Sequence, residues 1–295
     1  MMKIDAHNHP DFAGYDAERH IRNMDKLGIR KTWLLSCDAP EDEYNPRSIS
    51  CLTIPGHNAP TTFYRCLDYK RFAPDRFILG YAPDPRDPAA IVKMRKAINT
   101  YSVQVCGEVK LRITYDNPDA VDLFRFCGEE GVPVTLHFDY PYRRPGVEFP
   151  RRHYWYGGGI DNFENLLRQC PETNFLGHAP GFWAHISNDN LWETVSCPKG
   201  PVIPGGRIER MLEKYSNLYI DCSADSGLNA LTRDPEYTKK LFLTYPDRFL
   251  YGRDHFKNTL AEFIDTLDLP EDFLEKFYHG NAERLLPPVK EPAFG

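Results

Sequence analysis

Lys3-Ile4-Asp5-Ala6-His7-Asn8-His9 is a short apolar run that ends in two histidines two residues apart. Side chains two apart on a strand share a face. His7 and His9 are therefore predicted to leave the end of a first strand side by side. Imidazole suits a divalent metal such as zinc, and a pair on one strand supplies two ligands at fixed separation. Alone, the triplet is weak. The chain that follows gives it context. Ala17, Ile21, Met24 and Leu27 recur at helical spacing, and Gly28 supplies a helix stop. Lys31-Thr32-Trp33-Leu34-Leu35 then reads as a second strand.

The same rhythm continues to the C-terminus. Further strand-like runs cover residues 77–81, 105–113, 132–138, 174–178, 218–222 and 249–252. Helical stretches cover 87–101, the segment opened by Asn117-Pro118, 160–170 and 208–215, and the C-terminal segment is helical too. Eight strands alternating with helices imply a parallel sheet, and eight such units close into a (β/α)8 TIM barrel. A doubly wound open sheet is the alternative. No low-complexity linker divides the chain, so residues 1–295 are read as one domain. Three connections, about 38–60, 139–159 and 180–206, are longer than ordinary βα loops. In a barrel they lie on the C-terminal face, where sites are built.

Composition sets the class. The 295 residues are 41% hydrophobic and 26% charged, as in a soluble protein with a sizeable core. A net charge of −6 with no long basic run argues against nucleic acid as a partner. No apolar leader precedes the first strand and no stretch approaches spanning length, so no membrane partner is expected. Eight scattered cysteines without a Cys-x-x-Cys pair are read as reduced thiols of a cytoplasmic protein. A homodimer is the default assembly.

Three further polar residues end apolar runs. His137 closes Val134-Thr135-Leu136-His137, His178 closes Asn174-Phe175-Leu176-Gly177-His178, and Asp254 follows Leu250-Tyr251-Gly252-Arg253. In a barrel such strand ends converge. On the fourth strand Glu108 and Lys110 share a face. Their pattern leaves three readings open: an internal ion pair, Glu108 as a metal ligand, or Lys110 as an anion-binding or carbamylated residue.

This set resembles the amidohydrolase superfamily, in particular its amidohydrolase-related (amidohydrolase-2) branch. The resemblance rests on Asp5-Ala6-His7-Asn8-His9, Gly107-Glu108-Val109-Lys110-Leu111, His137, His178, Gly252-Arg253-Asp254 and the late His279-Gly280-Asn281-Ala282-Glu283-Arg284-Leu285. Arg253 departs from it, standing where small hydroxyl residues are common, and is expected to alter the pocket beside Asp254. The resemblance implies that His7, His9, His137 and Asp254 surround a metal, with Glu108 and His178 joining if there are two. Zinc is the first expectation and manganese the second. Asp254 and His178 are the implied catalytic residues, with Asp254 as the base that takes a proton from water. Lys110, Arg143, Arg144 and Trp183 are the candidate substrate-binding residues, suited to a small, anionic molecule. The implied reaction is hydrolysis of a lactone, ester or amide. Non-oxidative decarboxylation of an aromatic or unsaturated acid is the alternative, and a non-catalytic metal-binding barrel is the second. His255, next to Asp254, is expected to point away from the site, His185 to be structural, and His20, His57 and His279 to be surface or packing residues.

Overall fold

Local signals mark the first βα unit. Asp16 accepts a hydrogen bond from the Arg19 amide at 2.8 Å and starts the helix Ala17–Leu27; Gly28, at φ +68°, ends it in the left-handed conformation that glycine adopts without strain. The chain then re-enters the sheet. In the computed structural model, which describes residues 1–40, 43, 61–139 and 156–289, this unit repeats eight times. The strands are β1 (Lys3–Asn8), β2 (Ile29–Leu35), β3 (Phe77–Gly80), β4 (Cys106–Val109), β5 (Val134–His137), β6 (Phe175–His178), β7 (Leu218–Asp221) and β8 (Phe249–Leu250). Arg143, Arg144 and His57 lie outside the described residues.

All strand pairs are parallel, in the order β1-β2-β3 and β4-β5-β6-β7-β8. Backbone hydrogen bonds span both seams. Tyr81 N donates to Val105 O at 3.0 Å between β3 and β4, and Ala6 N donates to Tyr251 O at 2.9 Å between β8 and β1. The eight strands therefore form a TIM-barrel ring, as the alternation of elements implies. The strands are shorter than the apolar runs that announce them: the run 105–113 contributes only Cys106–Val109 to the ladder. Between β7 and β8 the chain makes two helices, Ala224–Thr232 and Pro235–Thr244. Among the described residues, no helix is long and apolar enough to cross a membrane.

Two apolar layers hold the ring. The larger joins outward strand residues such as Leu34, Leu79, Val134, Leu136, Phe175 and Ile220 to the helices. The smaller, Ile4, Ala6, Trp33, Leu35, Ile78, Val105, Leu176 and Leu250, fills the barrel interior. Inward positions one step further along the strands are polar: Glu108, His137, His178 and Asp221 are all buried. The interior is thus an apolar plug with a polar layer above it at the strand C-termini. On β1 the register against β2 shifts between Asp5 and Asn8. The irregularity breaks strict alternation, so that Ala6 belongs to the plug while His7 and His9 join the polar layer.

Arg253 does not shape the pocket, contrary to the sequence-based expectation. Its side chain is buried, with Nε on Asp5 Oδ2 at 2.8 Å and Nη1 on Asn23 Oδ1 at 2.5 Å. It ties β8 to β1 and to the first helix, while Asp5 also holds Asn8 at 3.0 Å. The guanidinium thus braces the strand that carries the two histidines.

His20 is a packing residue, as expected. Its ring lies edge-on to Tyr69, Phe77 and Phe256, and neither ring nitrogen has a hydrogen-bond partner. Burial, reinforced by Arg253 and Arg76, holds its pKa well below 6.5. The unfolded chain takes up a proton at this position near pH 6.5 that the fold refuses, so the fold loses stability as pH falls below that value. A His20→Leu variant should show a shallower loss between pH 6.5 and 4.5, by about 1.4 kcal/mol per pH unit for one proton. Urea unfolding at three pH values checks this, and parallel wild-type and variant curves would refute it.

Candidate metal centre

Three histidines of the polar layer are pinned from behind. His7 Nδ1 lies 2.5 Å from Asp221 Oδ2. His9 Nδ1 lies 2.9 Å from the Leu35 carbonyl, which can only accept, so this nitrogen carries the proton. His178 Nδ1 lies 3.1 Å from Ser223 Oγ and 3.3 Å from Asp221 Oδ2. In each of these three rings Nε2 faces the barrel axis, where a cation can displace any proton it carries. This is how a protein fixes the tautomer and orientation of metal-ligating imidazoles.

The Nε2 atoms converge. Those of His7 and His9 are 3.2 Å apart. The Glu108 carboxylate sits among four rings, with contacts of 2.6 Å to His137 Nδ1, 3.4 Å to His9 Nε2, 3.7 Å to His178 Nε2 and 3.9 Å to His7 Nε2. Asp254 closes the layer from β8, 3.5 Å from His9 Nε2 and 3.7 Å from His178 Nε2. Donor atoms within 4.8 Å of one another form three overlapping sets: His7, His9 and Glu108; His7, His178 and Asp254; and Glu108, His137 and His178. His178 Nε2 is fully buried yet has no hydrogen-bond partner. An orphaned imidazole nitrogen amid carboxylates is the donor set a divalent cation completes.

The charges fit a cation as well. Burial opposes the charged forms of Glu108, Asp221 and Asp254, but the surrounding histidines outweigh it and hold all three below the ordinary carboxylate range. Burial likewise pulls His7 down, yet Asp221, Asp254 and Glu108 push it up to about 10. Without a cation, protons on histidine balance this buried anionic cluster, and a metal can displace them.

Backbone geometry is specialised at two points. Asp254 has φ +51°, a left-handed conformation uncommon outside glycine, and its amide donates to His7 O at 2.8 Å. Gly252 lets β8 pass the centre closely. A Cβ there would lie 2.7 Å from Asp221 Oδ1 and 3.3 Å from His7 Cβ, displacing the pair that orients His7.

The centre opens into a cavity of about 590 Å³, lined by His137, His178, Asp254 and Lys110 on one side and by Ala224, Ser226 and Lys199 on another. That size suits a small molecule. Lys110 is buried in its wall, over the Tyr156 ring at 5.5 Å. Burial lowers its pKa, but Glu108 and Asp139 more than compensate and keep it charged. Among the described residues the close ion pairs of Glu108 are to histidines, so the internal Glu108–Lys110 pair is not the arrangement found.

Trp183 is a correction. It is 2% exposed, packs against Phe182 at 5.7 Å and belongs to the outer core, so it does not line the cavity. The short helix Pro180–Trp183 after β6 turns it away from the barrel mouth. His255 is a second correction, because it lines the cavity rather than pointing away. The left-handed turn at Asp254 alters the strand alternation on which that expectation rested. His185 is a packing residue, against Trp192 at 4.8 Å.

Sequence reasoning missed Asp221, Ser223 and Asp139. Asp139 Oδ1 lies 3.4 Å from His137 Nε2. Asp221 ends Leu218-Tyr219-Ile220-Asp221, the same apolar-run-then-polar signal that singled out His137 and His178.

A (β/α)8 barrel with a layer of histidines and carboxylates at its strand C-termini is the class these observations define. Residues 206–287 match the family model described as amidohydrolase. Among solved structures, an uncharacterized TIM-barrel protein from Bordetella bronchiseptica superposes with a TM-score of 0.62 at 16% identity, covering 97% of this chain and 98% of that one. The 2,6-dihydroxybenzoate decarboxylase from Rhizobium gives 0.58 at 16% identity, over 96% and 97% of the two chains. The dihydroxybenzoic acid decarboxylase from Polaromonas sp. JS666, with bound manganese and the inhibitor 2-nitroresorcinol, gives 0.58 at 15% identity, over 96% of each. No curated protein matches the sequence. The resemblance to the amidohydrolase-related branch is matched by the family model over residues 206–287, and the solved structures share this chain's barrel fold over nearly its whole length.

Proposed function

We propose that this chain is a metal-dependent hydrolase acting on a small lactone, ester or amide. The observation that carries the reading is the position of Glu108, a buried carboxylate within 3.9 Å of His7, His9, His137 and His178. A carboxylate so placed can serve two ions at once. On this reading His7, His9, Glu108, His137, His178 and Asp254 hold one or two divalent ions. The imidazole-rich set suits zinc first and manganese second. A divalent ion there makes water acidic enough to ionise near neutrality and polarises an acyl oxygen.

The residues supply the rest. Asp254, ionised and 19% exposed at its side chain, is the most exposed of the centre's groups that line the cavity. Its carboxylate accepts the proton of the attacking water and delivers it to the departing oxygen or nitrogen. His178 stays neutral, because burial lowers its pKa. Lys110 offers a fixed positive charge to a substrate anion.

A second reading, decarboxylation of an aromatic or unsaturated acid, draws on Lys110 and on the similar structures named as dihydroxybenzoate decarboxylases. One measurement tests the metal centre that both readings share, and a second separates them. Elemental analysis should find about two metal ions per chain in the wild type and about one in Glu108→Gln. A screen of sugar lactones, small esters and amides should give acid release without carbon dioxide. Carbon dioxide from a carboxylated ring would replace the hydrolase reading with the second one. No bound transition metal after reconstitution would end both.

A further inference from the structure

The ammonium of Lys110 stands in the cavity wall without a counter-charge. Lys110 lies one residue beyond the end of β4 (Cys106–Val109) and two beyond Glu108. It is 4% exposed and forms part of the cavity lining. Its ammonium sits over the Tyr156 ring at 5.5 Å, while the Tyr156 hydroxyl is turned to Glu43 O, to which it donates at 2.6 Å. Two buried acids of the same region turn to His137 instead. Glu108 Oε1 lies 2.6 Å from its Nδ1, and Asp139 Oδ1 lies 3.4 Å from its Nε2. Among the described residues, no carboxylate stands within ion-pair reach of the Lys110 ammonium. A charge so deeply placed is costly unless something pairs with it, and the side from which a partner can come is the cavity.

Position says where on a substrate that partner belongs. Two residues of extended chain rise about 6.5 Å. Lys110 is therefore one step above Glu108 toward the cavity mouth, on the same strand. A molecule that presents its acyl oxygen to the centre brings its next two or three carbon atoms level with Lys110. Phe12, Ala179 and Pro180 also line this space, so such a skeleton meets carbon. Asp139 and Asp254 line it too and disfavour a doubly charged group, so a carboxylate fits better than a phosphate.

We propose that Lys110 determines specificity, its ammonium holding a carboxylate that the substrate carries two or three carbon atoms from the acyl group presented to the centre. This rests on the hydrolase reading for the identity of the bond broken. It narrows the substrate class to half-esters and half-amides of short dicarboxylic acids and to lactones with a carboxylate close to the ring carbonyl.

The test uses binding rather than turnover. Metal-loaded wild type, Lys110→Met and Lys110→Gln are titrated calorimetrically with succinate and with butanoate at fixed ionic strength. The two probes have equal chain length, but only succinate has a second carboxylate. The wild type should prefer succinate by at least about tenfold, the scale of one charge-assisted contact. Each variant should keep its metal and its affinity for butanoate, and retain less than about a threefold preference. Equal affinities in the wild type would overturn the subsite whatever the variants do, and so would an unchanged preference in either folded variant. Metal content that rises with added bicarbonate in the wild type but not in Lys110→Met would also overturn it, by making Lys110 a carbamate ligand. The two ideas fail separately. Bound metal without a succinate preference removes the subsite and leaves the hydrolase reading. A succinate preference that depends on Lys110, in a chain that releases carbon dioxide in the substrate screen, does the reverse.

Discussion

An Asp254→Asn variant, saturated with metal, should turn over the substrate found in the screen at least about 10³-fold more slowly than wild type, the scale of losing a positioned general base. Two functions meet at this side chain. One oxygen lies 3.5 Å from His9 Nε2, within the donor set, and the residue also lines the cavity. Asparagine keeps the shape and a neutral oxygen ligand but cannot accept a proton. Excess metal therefore separates the roles. If Asp254 were only a ligand, added metal would restore the rate. If it is the base, the loss persists at full occupancy. The fold should survive, because asparagine tolerates φ +51° better than most residues and the amide still donates to His7 O. A variant with wild-type melting temperature, full metal content and near-normal kcat would refute the assignment.

Much of this centre was legible because a barrel turns strand ends into a shared location. His7, His9, His137, His178 and Asp254 each stand at or just beyond the end of an apolar run, and Glu108 stands within the fourth. A (β/α)8 ring brings such ends together without further information. What stayed hidden depends on local departures from regular geometry. The register shift in β1 decides which residues of Ile4 to His9 fill the plug and which join the site. The positive φ at Asp254 brings His255 into the cavity wall, and the short helix after β6 buries Trp183. Period-two reasoning has no term for any of these. Asp221 differs: its strand-end position was visible, but nothing in one sequence says that two histidines share it.

That sharing makes Asp221→Asn the most informative change outside the donor set. Asp221 Oδ2 receives His7 Nδ1 at 2.5 Å and lies 3.3 Å from His178 Nδ1, while Oδ1 accepts from the Ser223 amide at 2.9 Å. An asparagine has one acceptor atom. If its oxygen keeps the Ser223 amide, its NH2 faces His7 Nδ1, and that nitrogen must give up its proton to accept the new bond. The ring proton moves to Nε2, and the lone pair that faces Glu108 and His9 is lost. Metal affinity, read by competition with a chromophoric chelator, should fall about 10- to 100-fold, the usual effect of removing a partner behind a ligating histidine. Nitrogen-15 spectra of the metal-free protein should show His7 protonated on Nε2 alone in the variant, where the wild-type ring holds protons on both nitrogens, a signature that simple loosening of the fold would not produce. Ser223→Ala removes only the hydroxyl contact to His178 and should weaken metal binding less. Equal affinities for wild type and Asp221→Asn would mean that His7 is held by packing alone, and that the carboxylate behind it serves the fold rather than the centre.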